Sequence, residues 1–165
     1  LEQSEARVKR RVSERRPTGP EGRAGKKPSA SPGVVRQLAA TLAENRLFRQ
    51  TGAVHCGLLA RQNAVLFSTE DTGRFNVLDK LTGFLLQERL AARDLLLTFS
   101  GRLTGEVVNR VARMGIPIVI SPAAPTLKGI EIAAVQGITL IGFARGERFN
   151  VYTHPERLIV NPARG

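Results

Sequence analysis

Two short apolar runs, separated by a helical pattern, constrain the fold of this chain more than any other feature. The runs Leu95–Leu97 and Ile118–Ile120 are apolar at consecutive positions rather than at alternate ones. A strand of this kind is covered on both faces, as in sheets that carry helices on either side. Between them, Glu106–Met114 has helical apolar spacing and is followed by Gly115, a common residue after a helix. These patterns predict a β-α-β unit within an α/β domain.

Similar patterns extend in both directions along the chain. The predicted helices are Pro32–Arg49, Val77–Leu90, Glu106–Met114 and Thr126–Val135, and the predicted strands are Val54–Leu59, Ala64–Ser68, Asp94–Phe99, Ile116–Ile120 and Ile138–Phe143. The first two strands flank a short polar turn, which favours a hairpin. From residue 64 onward, strands and helices alternate, and Gly137 closes the helix Thr126–Val135 as Gly115 closes the helix before it. We therefore predict a three-layer α/β/α sandwich with a mostly parallel sheet.

Charge divides the chain into two parts. Residues 1–32 contain nine Lys or Arg and four Glu, within a chain of net charge +11, and very few large apolar side chains. Such a segment buries too little surface to offset the entropy lost on ordering. We predict a basic, disordered tail over residues 1–32 and a single α/β domain over residues 33–165.

Composition also bears on location and partners. The single cysteine permits no internal disulfide, which indicates a reducing compartment, and we expect the cytoplasm. No apolar run approaches the roughly 20 residues of a membrane span, and no signal-peptide core is seen at the N-terminus. The basic excess suggests an anionic partner. One Tyr and no Trp offer no stacking platform, so nucleic acid is the less favoured partner.

Polar and glycine residues follow the predicted strands, at the edge where ligands bind in α/β sheets. The candidates are Asp71, Gly73, Arg74 and Asn76 after the second strand, Ser100, Gly101 and Arg102 after the third, Ser121 after the fourth, and Arg145–Arg148 after the fifth. Arginine offers forked donors to phosphate or carboxylate, and glycine allows close approach. We predict a site for an anionic ligand. In the alternative interpretation, Asp71, Asn76 and Ser121 simply cap the helices that follow them.

Catalytic and metal-binding candidates are few. Cys56 is the only thiol, and it lies in an apolar strand pattern where inert, buried cysteine is the commoner case. It is therefore a weak catalytic candidate. His55 precedes it and should face the other side of the strand, while His154 lies in a turn before Pro155. These residues lack the ligand spacing of a zinc site, and the motifs of zinc deaminases are absent, so we expect no metal site.

Five segments together carry a resemblance to a known family. They are Thr51–His55, Glu70–Lys80, Ser100–Arg102, Ser121–Thr126, and Gly142–Gly146 with Phe149–Arg157. In order and spacing they resemble the FdhD family of formate dehydrogenase accessory sulfurtransferases. The resemblance extends from about Val34 to Ile159.

The resemblance implies a cytidine-deaminase-like fold without zinc. It also implies that sulfur is taken as a persulfide from a cysteine desulfurase and passed to the molybdenum bis-guanine-dinucleotide cofactor of formate dehydrogenase, in the cytoplasm. Members commonly form homodimers. The cofactor-binding stretch of the family matches Phe143, Ala144, Arg145, Gly146, Glu147 and Arg148.

The sequence departs from the family pattern at two places. The family's Cys-x-x-Cys motif and smaller N-terminal portion are missing, and Phe75 stands where a histidine is expected. Two hypotheses therefore stay open. One is a truncated or divergent sulfurtransferase, and the other is a degenerate module that holds the cofactor or another guanine nucleotide without moving sulfur. Nucleic-acid binding through the basic tail is a third, less favoured hypothesis.

Overall fold

A six-stranded sheet forms the centre of the domain in the computed structural model, which describes residues 28–159. The α-helices of this range are α1 (Pro32–Ala43), α2 (Arg46–Thr51), α3 (Arg74–Gln87), α4 (Gly105–Met114) and α5 (Leu127–Gln136), and short 3-10 helices lie at Ala92–Asp94 and Pro155–Arg157. The strands are β1 (His55–Arg61), β2 (Ala64–Asp71), β3 (Leu96–Phe99), β4 (Ile118–Ile120), β5 (Thr139–Arg145) and β6 (Arg148–Val151). No helix among the described residues is long and apolar enough to cross a membrane.

The sheet is mixed, with strand order β2-β1-β3-β4-β5-β6. The pairs β3–β4 and β4–β5 are parallel, and the other three pairs are antiparallel. The predicted α/β class is confirmed, but the prediction of a mostly parallel sheet was wrong. Tight turns at Gln62 and Gly146, both with positive φ, join β1 to β2 and β5 to β6. Such short connections can only join antiparallel neighbours.

Two apolar clusters lie on opposite faces of the sheet, which confirms the three layers. Helices α3, α4 and α5 cover one face, where Leu81, Val107 and Ala133 are buried. Helix α1 covers the other face, where Leu38 and Leu42 are buried against the sheet. The strands thus present apolar side chains to both layers, as their consecutive apolar residues predict.

Local capping explains where most helices begin and end. The side chains of Ser31, Thr104 and Thr126 accept hydrogen bonds from backbone N–H groups in the first turns of α1, α4 and α5. Gly115 and Gly137 adopt the left-handed conformation that ends α4 and α5. Both glycine stops were predicted from the sequence and are confirmed.

The predicted helix over Pro32–Arg49 was wrong in its length, because two helices occupy this range. The break lies at Asn45, whose backbone is extended (ψ 134°) and whose side-chain amide donates to the Leu42 carbonyl at 2.9 Å. An asparagine side chain competes with the backbone for such carbonyls and so favours a helix end. The second helix, α2, begins after Asn45, and its first turn is hydrogen-bonded to Glu70 of β2.

The ends of the described chain meet. The N–H of Ala30 donates to the Arg157 carbonyl, and the N–H of Ile159 donates to the Ala30 carbonyl, both at 2.9 Å. The predicted tail falls mainly on residues 1–27, which lie outside the described residues, as do residues 160–165. Residues 28–32 belong to the fold instead, because Ala30 is paired, Ser31 caps α1 and Pro32 begins it.

Candidate ligand-binding cleft

A cleft of about 400 Å³ opens at the carboxyl ends of the central strands. One wall comes from α1 and α2 and consists of Ala39, Ala40, Leu42, Ala43 and Phe48. The other wall comes from the sheet edge and consists of Cys56, Ser100, Pro122, Ala144, Arg145 and Gly146. The volume of the cleft lies at the lower end of the range of about 300–1,000 Å³ that is typical of small-molecule sites. The mostly apolar walls with one arginine favour a partly apolar ligand that carries negative charge.

Arg145 supplies the charge of the cleft. Its Nε donates to the Pro122 carbonyl at 2.8 Å, which fixes the guanidinium plane at the cleft mouth. Neither Nη group donates to another of the described residues, so the guanidinium retains donors for an incoming anion. A guanidinium held in this way can bind a phosphate through two hydrogen bonds.

The predicted stretch Phe143–Arg148 forms a β-hairpin between β5 and β6. An open loop was expected there, because strand β6 was not predicted from the sequence. Ala144, Arg145 and Gly146 line the cleft. Glu147 pairs with Arg36 of α1 at 3.3 Å and so ties the hairpin tip to that helix. Arg148 is exposed and stands opposite Arg145 in the strand register, outside the cleft. The hairpin therefore brings only part of the stretch to the site.

Phe143 has an unusual backbone for an aromatic residue. Its φ is +53°, at an irregularity of β5, and 44% of its surface is exposed. Two hydrogen bonds hold this conformation, from its N–H to the Ala123 carbonyl and from the Ala144 N–H to the Ser121 carbonyl. A bulky residue at positive φ carries strain, and such strain concentrates at functional sites.

We expect glycine to be tolerated better than alanine at Phe143, by about 1 kcal/mol in the free energy of unfolding, because only glycine adopts this φ without cost. Urea denaturation of Phe143→Gly and Phe143→Ala measures the difference. The matched pair is Phe149→Gly and Phe149→Ala in β6, where φ is not positive and alanine should be the more stable. If the glycine and alanine variants had the same order of stability at both positions, backbone strain at Phe143 would be contradicted.

The residues that follow β2 form a closed network. One oxygen of Asp71, Oδ1, accepts from the Gly73 N–H at 2.8 Å and from Asn76 Nδ2 at 3.0 Å, and Oδ2 lies 2.7 Å from Lys80 Nζ. The hydrogen bond from Lys80, followed by those from Gly73 and Asn76, lowers the pKa of Asp71 to about 2. These residues hold the β2–α3 loop together and do not line the cleft. The capping alternative was wrong for Asp71 and Asn76, because the N-cap of α3 is Gly73, without a side-chain capping hydrogen bond.

The arginines next to this network lie outside the cleft as well. The guanidinium groups of Arg74 and Arg110 each lie 4.7 Å from the centre of the Phe75 ring. Arg110 also pairs with Asp79. Phe75, the residue that departs from the family pattern, therefore forms a cation–π contact with two arginines.

The loops after β3 and β4 are joined beneath the cleft. The buried Ser121 hydroxyl donates to the Gly101 carbonyl at 2.9 Å and accepts from the Ala123 N–H at 2.9 Å. A side chain at Gly101 would meet the Phe99 ring at 2.7 Å. Ser100 lines the cleft, and its hydroxyl accepts from the Cys56 N–H at 2.9 Å. Arg102 is exposed and does not line the cleft.

Cys56 has the properties of an inert thiol. It is fully buried, and its Sγ lies 3.6 Å from the Leu42 carbonyl, toward which the S–H points as a donor. Burial raises the pKa of this thiol to about 11, so little thiolate exists at neutral pH. Because the thiolate is the reactive form, Cys56 is unsuited to carrying sulfur.

The two histidines are not part of the cleft. The His55 ring stacks on Phe99 with 6.3 Å between ring centres. The His154 ring lies between the Glu156 carboxylate and the Ala134 carbonyl. Within residues 28–159, no group of three or more His, Cys, Asp or Glu side chains is placed to hold a metal ion.

Sequence reasoning missed the helical wall of the cleft. Three alanines of α1 and Phe48 of α2 form most of it. The available signal was the group of alanines beside the apolar stripe of α1, since small residues leave space between a helix and a sheet. Nothing in the local sequence shows that α2 turns back over this space.

Comparison with known proteins defines the family. A family model described as FdhD/NarQ matches residues 6–159. The chain belongs to this family. The resemblance carried by the five segments is thereby confirmed. In this FdhD/NarQ member, the segments around Ser100, Ser121 and Arg145 meet at or beneath the cleft, whereas the Glu70–Lys80 segment builds the neighbouring loop.

Individual relatives are similar over most of this chain. The sulfur carrier protein FdhD of Shouchella clausii is 46% identical over 123 residues, 74% of this chain and 46% of the relative. The protein of the same name from Bacillus subtilis is 47% identical over 111 residues, 67% of this chain and 42% of the relative. The chain spans about half the length of the curated relatives that it matches.

A solved structure agrees with the fold. It is the crystal structure of a candidate formate dehydrogenase accessory protein from Desulfotalea psychrophila, with a TM-score of 0.75 and 32% identity. The match covers 80% of this chain and 60% of that chain. The mixed α/β architecture described above is therefore shared with an experimentally determined relative.

Proposed function

We propose that this domain binds the molybdenum bis-guanine-dinucleotide cofactor of a formate dehydrogenase, as the cofactor-holding part of a sulfur carrier. The relatives are named sulfur carrier protein FdhD, and the similar solved structure is that of a candidate formate dehydrogenase accessory protein. The observation that carries the proposal is Arg145, held at the mouth of an otherwise mostly apolar cleft. In this role the cofactor is the substrate of the protein.

The cleft suits one nucleotide end of such a ligand. A volume of about 400 Å³ accommodates a guanine nucleoside, with the base against the alanines of α1. The Arg145 guanidinium then lies where the phosphates leave the cleft, and the net charge of +11 draws an anionic ligand toward the protein.

The sulfur in this proposal comes as a persulfide from a cysteine desulfurase. Transfer requires a nucleophilic thiolate, and the buried Cys56 with its raised pKa does not provide one. A thiolate other than Cys56 must therefore carry the sulfur. The family resemblance further supports a cytoplasmic location and a homodimeric assembly, both of which we include in the proposal.

The second candidate function is a binding module that holds the cofactor, or another guanine nucleotide, without moving sulfur. The observation that favours it is the same buried thiol, which is the single cysteine of these 165 residues. Both functions need the same cleft, so nucleotide binding tests the site for both.

We expect GDP to bind saturably and Arg145→Ala to weaken its affinity about tenfold, because a charge-assisted hydrogen bond contributes roughly 1.5–3 kcal/mol and part of it is screened at the surface. Calorimetric titration gives the affinities. Arg113→Ala, an equal charge change in the last turn of α4, should stay within about twofold of the wild type. Equal losses in the two variants, or no saturable binding by the wild type, would refute the site.

A further inference from the structure

Helix α2 is held weakly by its own residues. It has six residues, and none of them is buried. The side chain of Asn45, which precedes it, makes no capping hydrogen bond to it. A helix this short is not stable by itself, and its first N–H groups require partners. Something outside the helix must therefore hold it in place.

The Glu70 carboxylate provides that partner from the sheet. Its Oε1 accepts from the Phe48 N–H at 2.8 Å, and its Oε2 accepts from the Leu47 N–H at 3.2 Å. A negative charge at this end of a helix is favourable in its own right. Glu70 is itself fixed, because it pairs with Cys56 in the sheet and its carbonyl accepts from Lys80 Nζ at 3.0 Å. Helix α2 is thus anchored to the rigid end of β2.

The anchored helix carries a wall of the cleft. Phe48 lines the cleft and packs against the buried cluster that contains Leu42 and Cys56. The same backbone N–H of Phe48 makes the shorter of the two bonds to Glu70. The position of this aromatic wall therefore depends on a carboxylate that does not itself line the cleft.

We infer that Glu70 is a positioning residue, which holds α2 so that Phe48 closes the cleft around its ligand. The structural part of this inference stands on the contacts alone. Its consequence for affinity rests on the proposed binding of a guanine nucleotide.

The single cysteine of the chain reports the position of α2. Cys56 is fully buried and borders the cleft, so displacement of Phe48 should expose its thiol to a labelling reagent such as Ellman's reagent. The charge of Glu70 also raises the pKa of this thiol slightly. Both Glu70→Ala and Glu70→Gln remove that charge, but only glutamine keeps a side-chain oxygen able to accept from Phe48. A difference between the two variants therefore isolates the opening of the wall.

We expect Glu70→Ala to be labelled about tenfold faster than Glu70→Gln, the size of effect that loss of a helix cap produces. Hydrogen exchange at the Phe48 amide should speed up in the same order. Glu88→Ala, whose side chain makes no hydrogen bond or ion pair with the described residues, should match the wild type. Equal labelling of the two Glu70 variants, with unchanged exchange at Phe48, would overturn the positioning role.

GDP titration of the same variants tests the consequence for the ligand. We expect Glu70→Ala to bind GDP about fivefold to tenfold more weakly than the wild type, with Glu70→Gln between them. Unchanged affinity in Glu70→Ala despite faster labelling would refute the role of the wall in binding. If the wild type itself bound no GDP, the proposed function would fail, while the labelling rates would still decide whether Glu70 holds α2.

Discussion

Gly129→Ala should destabilise the domain by about 3 kcal/mol, near the upper end of the cost of overpacking. A methyl group at this position of α5 would overlap the Leu103 carbonyl oxygen. That backbone cannot move aside easily, because the Leu103 carbonyl accepts from the Thr126 N–H and its N–H donates to the Ala124 carbonyl. Urea denaturation of the variant, with the slope of the transition held constant, measures the change.

The matched control is Gly83→Ala in α3. Apart from the backbone of its own helix and its chain neighbours, no heavy atom lies within 4 Å of the position of the added methyl group there, and the residue is in the interior of a helix. Alanine should therefore stabilise this site by roughly 0.5–1 kcal/mol through helix propensity alone. If both substitutions stabilised the protein, the close approach of α5 to Leu103 would be wrong.

Asp71→Asn should lower the free energy of unfolding at neutral pH by about 1–2 kcal/mol, because solvent screens part of the stability that follows from the pKa shift. The folded-state pKa of Asp71 lies at about 2, below the ordinary value of 3.8. A carboxyl group with a lowered pKa contributes its full stability above the unfolded-state pKa and loses it as the pH falls through the folded-state value. The loss should therefore occur as the pH falls from about 4 to about 2.

Urea denaturation across that pH range separates the variant from the wild type. The wild type should lose stability steeply below pH 4, whereas the amide introduced in Asp71→Asn has no charge to titrate, so the curve of the variant should be flatter. Asp79→Asn serves for comparison, because Asp79 pairs with Arg110 at a site where 62% of the Asp79 side chain is exposed. An exposed pair contributes at most about 1 kcal/mol, so the loss should be smaller. Equal effects of the two substitutions would argue against the Asp71 network.

The sequence predicts the central strands of this fold and the helices between them well, because the signals for these elements are local. The stops at Gly115 and Gly137 and the apolar strands near Leu97 and Val119 all appear in the structure. Strand β6 was missed even though Phe149 and Val151 alternate with polar residues, since Arg145, Glu147 and Arg148 around the turn suggested a ligand loop. The hairpin of β1 and β2 was expected, but the position of β1 between β2 and β3, antiparallel to both, depends on long-range pairing and contributes to the mixed sheet.

The candidate site could be predicted only in part, because local sequence signals place some of its residues and long-range contacts place the others. Residues at the carboxyl ends of strands, such as Ser100 and Arg145, can be placed at one edge once the strands are known. The wall formed by Phe48 depends on where α2 comes to rest, and that is set by Glu70, more than 20 positions away. Such long-range contacts leave no periodic signal in the sequence. Asp71 was a candidate for the ligand site, but its carboxylate accepts hydrogen bonds from its own loop instead.

The pairing of Ala30 with the segment Arg157–Ile159 has a mechanical consequence. The two short segments run parallel, so tension between the ends of the described chain would draw them in opposite directions along their length. Such a load stretches both hydrogen bonds of Ala30 at once, in shear, instead of opening them one after the other. Helix α1 follows Ala30 and carries one wall of the cleft. The two hydrogen bonds of Ala30 therefore bear a pulling force applied at the ends of the described chain before that force reaches the ligand site.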